Sequence, residues 1–174
     1  MIYAISIGTN TGNRIQNLKK AITEINARLG KIEKISSVYE SEPWGFESEN
    51  WFYNMLVVLN ASVDPLHLIE KLLEIERSMG RIRNKNGYSD RCIDLDVILC
   101  NEFTICSKNI ILPHPHMHKR LFVLLPLQEL MPQWVHPFFK KNTDELIRIC
   151  EDKSRIKRID NYKICFQPEG QKHD

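Results

Sequence analysis

Apolar and polar residues succeed one another along the first hundred positions in an order that predicts six elements. Ile2–Ile7 is an apolar, β-prone run that ends in the turn-rich GTNTGN. Ile15, Leu18, Ile22, Ile25 and Leu29 then recur at spacings of three and four, which puts them on one face of an amphipathic helix closed by Gly30. Ile32–Tyr39 and Phe52–Val63 read as strands, candidates for an antiparallel pair, separated by the polar and aromatic loop ESEPWGFESENW with its Pro43 and Gly45. Asp64-Pro65 starts a second helix, the aspartate as cap and the proline at the first helical position. Leu68, Leu72, Ile75 and Met79 carry its apolar stripe to Gly80. After the polar RIRNKNGYSD comes RCIDLDVIL, Arg91 to Leu99, a strand by its β-branched and aliphatic content. The order β-α-β-β-α-β is the ferredoxin-like arrangement, an α+β fold with a mainly antiparallel sheet.

Beyond that core, Asn101–Ile111 adds a strand or hairpin, and Leu121–Leu130 reads as a helix despite Pro126. Asn142–Cys150 opens with NTDE, a capping-type start to a further helix. The last twenty-odd residues carry no readable period. Their Lys153, Arg155, Lys157 and Arg158 read as a solvated tail segment.

Bulk composition narrows the classes. The 174 residues, 43% hydrophobic and 26% charged, suit one globular domain. A net charge of +2 announces neither nucleic acid nor a membrane surface, so an anionic ligand has to be met locally. Five cysteines without a CxxC pair argue against a disulfide framework and a zinc ribbon, and point to the reducing cytoplasm. Neither a signal peptide nor a membrane-spanning apolar stretch is read.

Asp94 and Asp96 stand out within their apolar run. On a strand, side chains at i and i+2 leave by the same face, so the two carboxylates share a platform with Cα atoms ~6.5–7 Å apart. Ile93, Leu95, Val97 and Leu99 then face the core. Two like charges so placed disfavour ionisation unless something positive lies between them. The pair suits Mg²⁺, which takes one or two carboxylates and completes its shell with water and phosphate; the competing reading is a soluble edge strand. Upstream lie Glu76, Arg81, Arg83, Lys85 and Arg91, either a charged helix end in solvent or the guanidinium groups that a polyphosphate needs. LPHPHMHKRLF carries His114, His116, His118, Arg120 and Phe122. No cysteine or acid in that segment completes a zinc set, and phosphate contact is the stronger reading. Trp44, Trp51, Phe52, Tyr53 and Phe122 serve packing or sandwich a flat heterocycle.

Taken in order, YAISIGTNTGNR, SSVYESEPWGF, FYNMLVVL, EIERSMGRIR, RCIDLDVIL and LPHPHMHKRLFVLLPLQELMP resemble 6-hydroxymethyl-7,8-dihydropterin pyrophosphokinase, an enzyme of folate biosynthesis. RxxDLDxI followed by LPHP and RxF is the most specific part. The resemblance covers about residues 2 to 150, so 1–150 is taken as the pyrophosphokinase domain, with 151–174 as a C-terminal extension of unknown role.

It implies a ferredoxin-like fold and transfer of pyrophosphate from MgATP to the pterin hydroxymethyl group with release of AMP. Asp94 and Asp96 would bind two Mg²⁺ ions. Arg81, Arg83 and Arg91 would meet the phosphates, with Glu76, Tyr88, His114 and Arg120 around the nucleotide. Ser41, Trp44 and Asn54 would hold the pterin edge, and Phe52 and Phe122 would stack on its faces. The loops near Gly8–Asn13, Gly45–Trp51 and Arg83–Asp90 would close over the substrates. The chain departs from the family pattern in GYSDR, with Gly87, Tyr88, Ser89 and Asp90 where a basic residue, tryptophan, glycine and proline are common.

A monomer without protein partners is expected. An RNA-recognition module shares the element order, but no RNP signature is present. A different metal-dependent phosphotransferase or phosphohydrolase could use the same aspartates and would yield ADP or phosphate.

Overall fold

The structure, a computed structural model, describes residues 1–82, 89–101, 103–108, 110–160 and 164. Strand β1 (Ile2–Thr9) leads to helix α1 (Arg14–Arg28), then strands β2 (Lys31–Ile35), β3 (Val38–Ser41) and β4 (Phe52–Asn60). Helix α2 (Pro65–Ser78) and strand β5 (Asp94–Cys100) complete the ferredoxin-like core. A hairpin of β6 (Ile105–Cys106) and β7 (Ile111–Leu112) follows, then α3 (Leu121–Leu130), α4 (Thr143–Ile149) and β8 (Ile156–Ile159).

Local chemistry sets the helix starts. Asn13 caps α1 by accepting from the Gln16 N–H, and Asp64 caps α2 by accepting from Leu66 and His67 ahead of Pro65. Asn142 and Glu145 close a reciprocal capping box on α4.

The main sheet runs β5-β1-β4-β3-β8, with β2 also on β4, and its paired neighbours are antiparallel. The apolar run Ile32–Tyr39 is two strands, not one. Ser36 turns its hydroxyl to accept the Leu56 N–H, and the four steps from Ile35 to Tyr39 oppose only three, from Val57 to Asn54. A second irregularity sits in β5, where Val97 pairs with Ile5 and Leu99 with Ala4. Ile98 is the extra residue, and the alternation inverts beyond it. Leu99, expected beside Leu95, therefore lies on the opposite face. The basic segment after Cys150 also differs from a free tail. Ile156–Ile159 pairs along the outer edge of β3, and Lys157 meets Glu40 at 2.9 Å.

Each face of the sheet carries a core. Tyr3, Ile5, Ile7, Met55, Val57, Leu95 and Val97 pack against Leu18, Ile22 and Ile25 of α1 and Leu68, Leu72 and Ile75 of α2. On the other face Ala4, Leu56, Val58, Ile98 and Leu99 meet Val123, Leu124 and Leu127 of α3 and Leu146 of α4. That second cover is partial. The same sheet face continues past it through Ser6, Gly8, Asn54, Asp94 and Asp96, where the side chains turn polar and a hollow opens.

Candidate active site

The floor of the hollow is written in the register of three strands. Gly8 sits between Asn54 on β4 and Asp94 on β5, and Ser6 lies opposite Asp96. A Cβ on Gly8 would stand 3.0 Å from the Asn54 side-chain oxygen, so any larger residue would push on Asn54, which is buried and bonded to Ser41. The walls are Ser41, Glu42, Trp44, Phe46 and Phe52 on one side and Arg91, Arg120 and Phe122 on the other.

One end is flat and aromatic with a polar edge. Asn54 donates to the Ser41 hydroxyl at 2.9 Å, both side chains buried. Phe46 meets Phe52 edge-on at 6.1 Å. The Arg120 guanidinium lies 4.7 Å from the Trp44 ring centroid and 5.8 Å from that of Phe122, while Arg91 lies 4.9 Å from Phe52. Cations thus already stack on the faces of rings that line the hollow.

The other end is ionic. Asp94 pairs with Arg91 at 2.8 Å and with Arg81, which also grips Glu76. Burial works upward on the Asp94 carboxyl, but Arg91 and Arg81 outweigh it and hold it below the usual carboxylate range. Asp96 goes the other way. Burial and then the neighbouring Asp94 charge push it up to about 6, against the weaker pull of Arg120. Arg120 stands 3.8 Å away, and 42% of the Asp96 side chain remains open to the hollow. Two hard oxygen donors, one of them crowded by its neighbour, suit a cation such as Mg²⁺, which needs no more than two protein carboxylates. Among the described residues no group of three or more His, Cys, Asp or Glu gathers to hold a metal.

A second groove shares Asp96 with the hollow and runs between α2 and the β6–β7 hairpin. Ile69, Leu73, Leu95, Val97 and Leu112 give it apolar walls, and Lys108, His114 and Pro115 border it. The His114 Nδ1 accepts the His116 N–H at 3.1 Å. Burial, with Arg120 and His116 nearby, draws His114 down to about 4. It is neutral at pH 7 with its remaining proton on Nε2. His118 turns instead toward Phe139, with ring centroids 4.6 Å apart.

Of the residues singled out in the sequence, the hollow collects Ser41, Trp44, Phe52, Asn54, Arg91, Asp94, Asp96, Arg120 and Phe122. Arg81 reaches Asp94, and His114 lines the second groove. Glu76 lines neither. It is 1% exposed on α2, where its Oε1 accepts the Leu95 N–H at 2.8 Å and the Arg81 guanidinium. Arg83 and Tyr88 lie outside the described residues. The hollow also takes in Ser6 and Glu42, which the sequence did not mark, and Gly8 and Phe46, which it placed only within loops expected to close over the substrates. A signal for Ser6 and Gly8 exists, because they continue the face of Ala4 at period two with small side chains where an apolar strand would place large ones.

A family model described as 7,8-dihydro-6-hydroxymethylpterin-pyrophosphokinase matches residues 4–132. The chain is 39% identical over 139 residues to the 2-amino-4-hydroxy-6-hydroxymethyldihydropteridine pyrophosphokinase of Porphyromonas gingivalis, covering 78% of this chain and 94% of that one. Against the Bacillus subtilis protein of the same name the identity is 36% over 157 residues, covering 89% and 93%. Among solved structures, wild-type Plasmodium falciparum HPPK-DHPS with pteroate superposes with a TM-score of 0.71 at 19% identity. That likeness concerns the fold: it covers 84% of this chain, and the chain spans 44% of the larger protein.

Proposed function

The chain belongs to the 7,8-dihydro-6-hydroxymethylpterin-pyrophosphokinase family, and from that premise we propose how its side chains divide the work. The reaction moves pyrophosphate from ATP to the hydroxymethyl group of 6-hydroxymethyl-7,8-dihydropterin in folate synthesis and releases AMP. The substrate oxygen bonds to the β-phosphorus as the bond from that phosphorus to the α–β bridging oxygen breaks. AMP leaves with the bridging oxygen, and the hydroxyl proton passes to solvent.

In this reading the pterin lies in the hollow. Ser41 and Asn54 meet its polar edge, with Trp44 beside them, and Phe52 and Phe122 take its faces. The adenosine of ATP enters the second groove, where Ile69, Leu73 and Leu112 cover apolar surface and His114 offers its Nε2–H toward the phosphates. The observation that carries the reading is that hollow and groove meet at Asp96, where the triphosphate has to pass from one to the other.

Asp94 and Asp96 would hold Mg²⁺, two ions in the fullest form of the reading. When bound, that metal neutralises phosphate charge and orients the β-phosphorus. Arg91, Arg81 and Arg120 offset charge that develops on the phosphate oxygens and the departing AMP, acting by position more than by covalent chemistry. Glu76 acts from behind by orienting Arg81. In this reading the enzyme acts as a monomer in the cytoplasm.

The test is AMP formation from ATP and Mg²⁺ with and without the pterin, with Asp94→Asn as control. AMP that requires both the pterin and the intact aspartate supports the assignment. Pterin-independent ADP or phosphate would support a phosphohydrolase instead.

A further inference from the structure

Three segments that border the hollow meet at one carboxylate outside it. Asp90 Oδ1 accepts the Asn10 side-chain amide at 2.7 Å, and Oδ2 accepts that of Asn50 at 2.6 Å. The Ser48 hydroxyl beside it, with Asn50 and Asn10, holds the Asp90 carboxyl below the usual range. Asn10, buried just past the end of β1, extends the junction in both directions. Its Oδ1 accepts the Arg91 N–H at 2.7 Å, and its own N–H donates to the Arg91 carbonyl at 3.1 Å. Its amide also donates to the Asn50 carbonyl at 3.1 Å. None of Asp90, Asn10, Asn50 or Ser48 lines the hollow. Each of the three segments nevertheless carries residues that do: Gly8 on the first, Trp44 and Phe46 on the second, Arg91 on the third.

An ionised carboxylate has room for about four hydrogen bonds and no donor of its own. One aspartate can therefore gather side-chain amides from separate loops, as no apolar side chain could. Asp90 is exposed, so each of its bonds competes with water and is weak taken singly. Weak, plural bonds are what loops need if they are to part for substrate and reassemble behind it.

We propose that Asp90, with Asn10 and Asn50, positions Arg91 relative to the Trp44–Phe46 wall, so that covering the pterin and presenting an arginine to the phosphates become one event. Asp90 touches no reacting atom; it acts through Arg91 and the wall. The proposal rests on the assignment of the hollow to the pterin and of Arg91 to the phosphates.

A double-mutant cycle tests it. Asp90→Ala and Asn50→Ala should each lower kcat/KM for the pterin about tenfold, the ratio that roughly one net charge-assisted hydrogen bond sets. Melting temperatures should stay within about 2 °C of wild type, since little buried structure is lost. The double variant should be no worse than either single one. Asp90→Asn combined with Asn50→Asp exchanges donor and acceptor and should recover most of the loss. Tryptophan fluorescence adds a readout that a structural role would not move. In wild type a non-hydrolysable ATP analogue should tighten pterin binding, and in Asp90→Ala that tightening should vanish while pterin binding alone persists. Wild-type kcat/KM in Asp90→Ala, additive losses, or activity that falls only in step with melting temperature would overturn the proposal. If wild-type protein formed no pterin-dependent AMP, the functional assignment beneath it would fall first, and that result is separable from the variants' behaviour.

Discussion

Glu76 offers the sharpest test of how the site is held, because one buried oxygen does two things. Its Oε1 accepts the N–H of Leu95, the residue between the two aspartates, and it also grips Arg81. The side chain is 1% exposed, and that of Arg81 is 13% exposed. Glu76→Ala leaves the Leu95 N–H buried without its acceptor, a loss of about 1–3 kcal/mol. It also removes one of two carboxylates that neutralise a buried guanidinium, and breaking such a pair outright costs about 3–5 kcal/mol. Asp94 still faces Arg81, so the two losses together should come to about 3–5 kcal/mol, which for a chain of this length lowers the melting temperature by about 6–20 °C. Glu76→Gln keeps an oxygen in place and loses only the charge, so about 1–2 kcal/mol is expected. Well below its melting point, Glu76→Gln should lose about tenfold in kcat/KM for ATP, the equivalent of about 1.4 kcal/mol, with KM for the pterin unchanged. Thermal denaturation and steady-state AMP formation measure the two effects separately. A destabilisation below about 1 kcal/mol in Glu76→Ala would show that the Leu95–Arg81 junction does not hold the strand. A Glu76→Gln defect confined to pterin binding would show that Arg81 does not serve the phosphates.

Asp96→Asn should abolish AMP formation while raising the melting temperature of the ligand-free protein at pH 7. Burial and then Asp94 push the Asp96 carboxyl up to about 6, above its unfolded value, so its ionisation opposes folding at neutral pH and that opposition lifts as pH falls from about 6 to 4; a lower melting temperature in the variant would refute this. His136 works on the acid side from outside the site. It is 3% exposed, its Nδ1 accepts the Phe138 N–H at 3.2 Å, and burial followed by His118 draws it down to about 4. A histidine whose folded value is depressed contributes fully above its unfolded value, about 6.5, and loses that contribution as pH falls toward 4, by at most about 3 kcal/mol. His136→Asn, which keeps an acceptor that cannot be protonated, should flatten this part of the acid limb of a stability–pH curve, and an unchanged limb would show that His136 does not set it.

Local chemistry was legible from the residues themselves. Asp64-Pro65 and the NTDE at Asn142 start helices because their side chains satisfy orphan N–H groups a few residues away, whatever the rest of the chain does. Asp94 and Asp96 share a face because a strand has period two, and the irregularity in β5 begins only beyond Val97. Leu99 and Ser36 escaped the same rule. Their irregularities exist only in the register between strands, where one residue opposes two or a hydroxyl takes a ladder position, and a single strand's pattern does not contain its partner's count.

Local pattern alone thus carried the alternation of the core strands with α1 and α2, the helix starts, and the residue types able to bind phosphate and a flat ring. The tertiary structure alone decided that Gly8 would be the floor between Asn54 and Asp94, that β8 would join the edge of β3, and that Glu76 would hold Arg81 from beneath the sheet. It also brought Asp90 to Asn10 and Asn50, 80 and 40 positions away. The physical reason is the range of the forces involved. Caps and periodicities act within a turn or two of chain, whereas a cavity, a buried ion pair or a junction of loops depends on packing that closes distances the chain order leaves open.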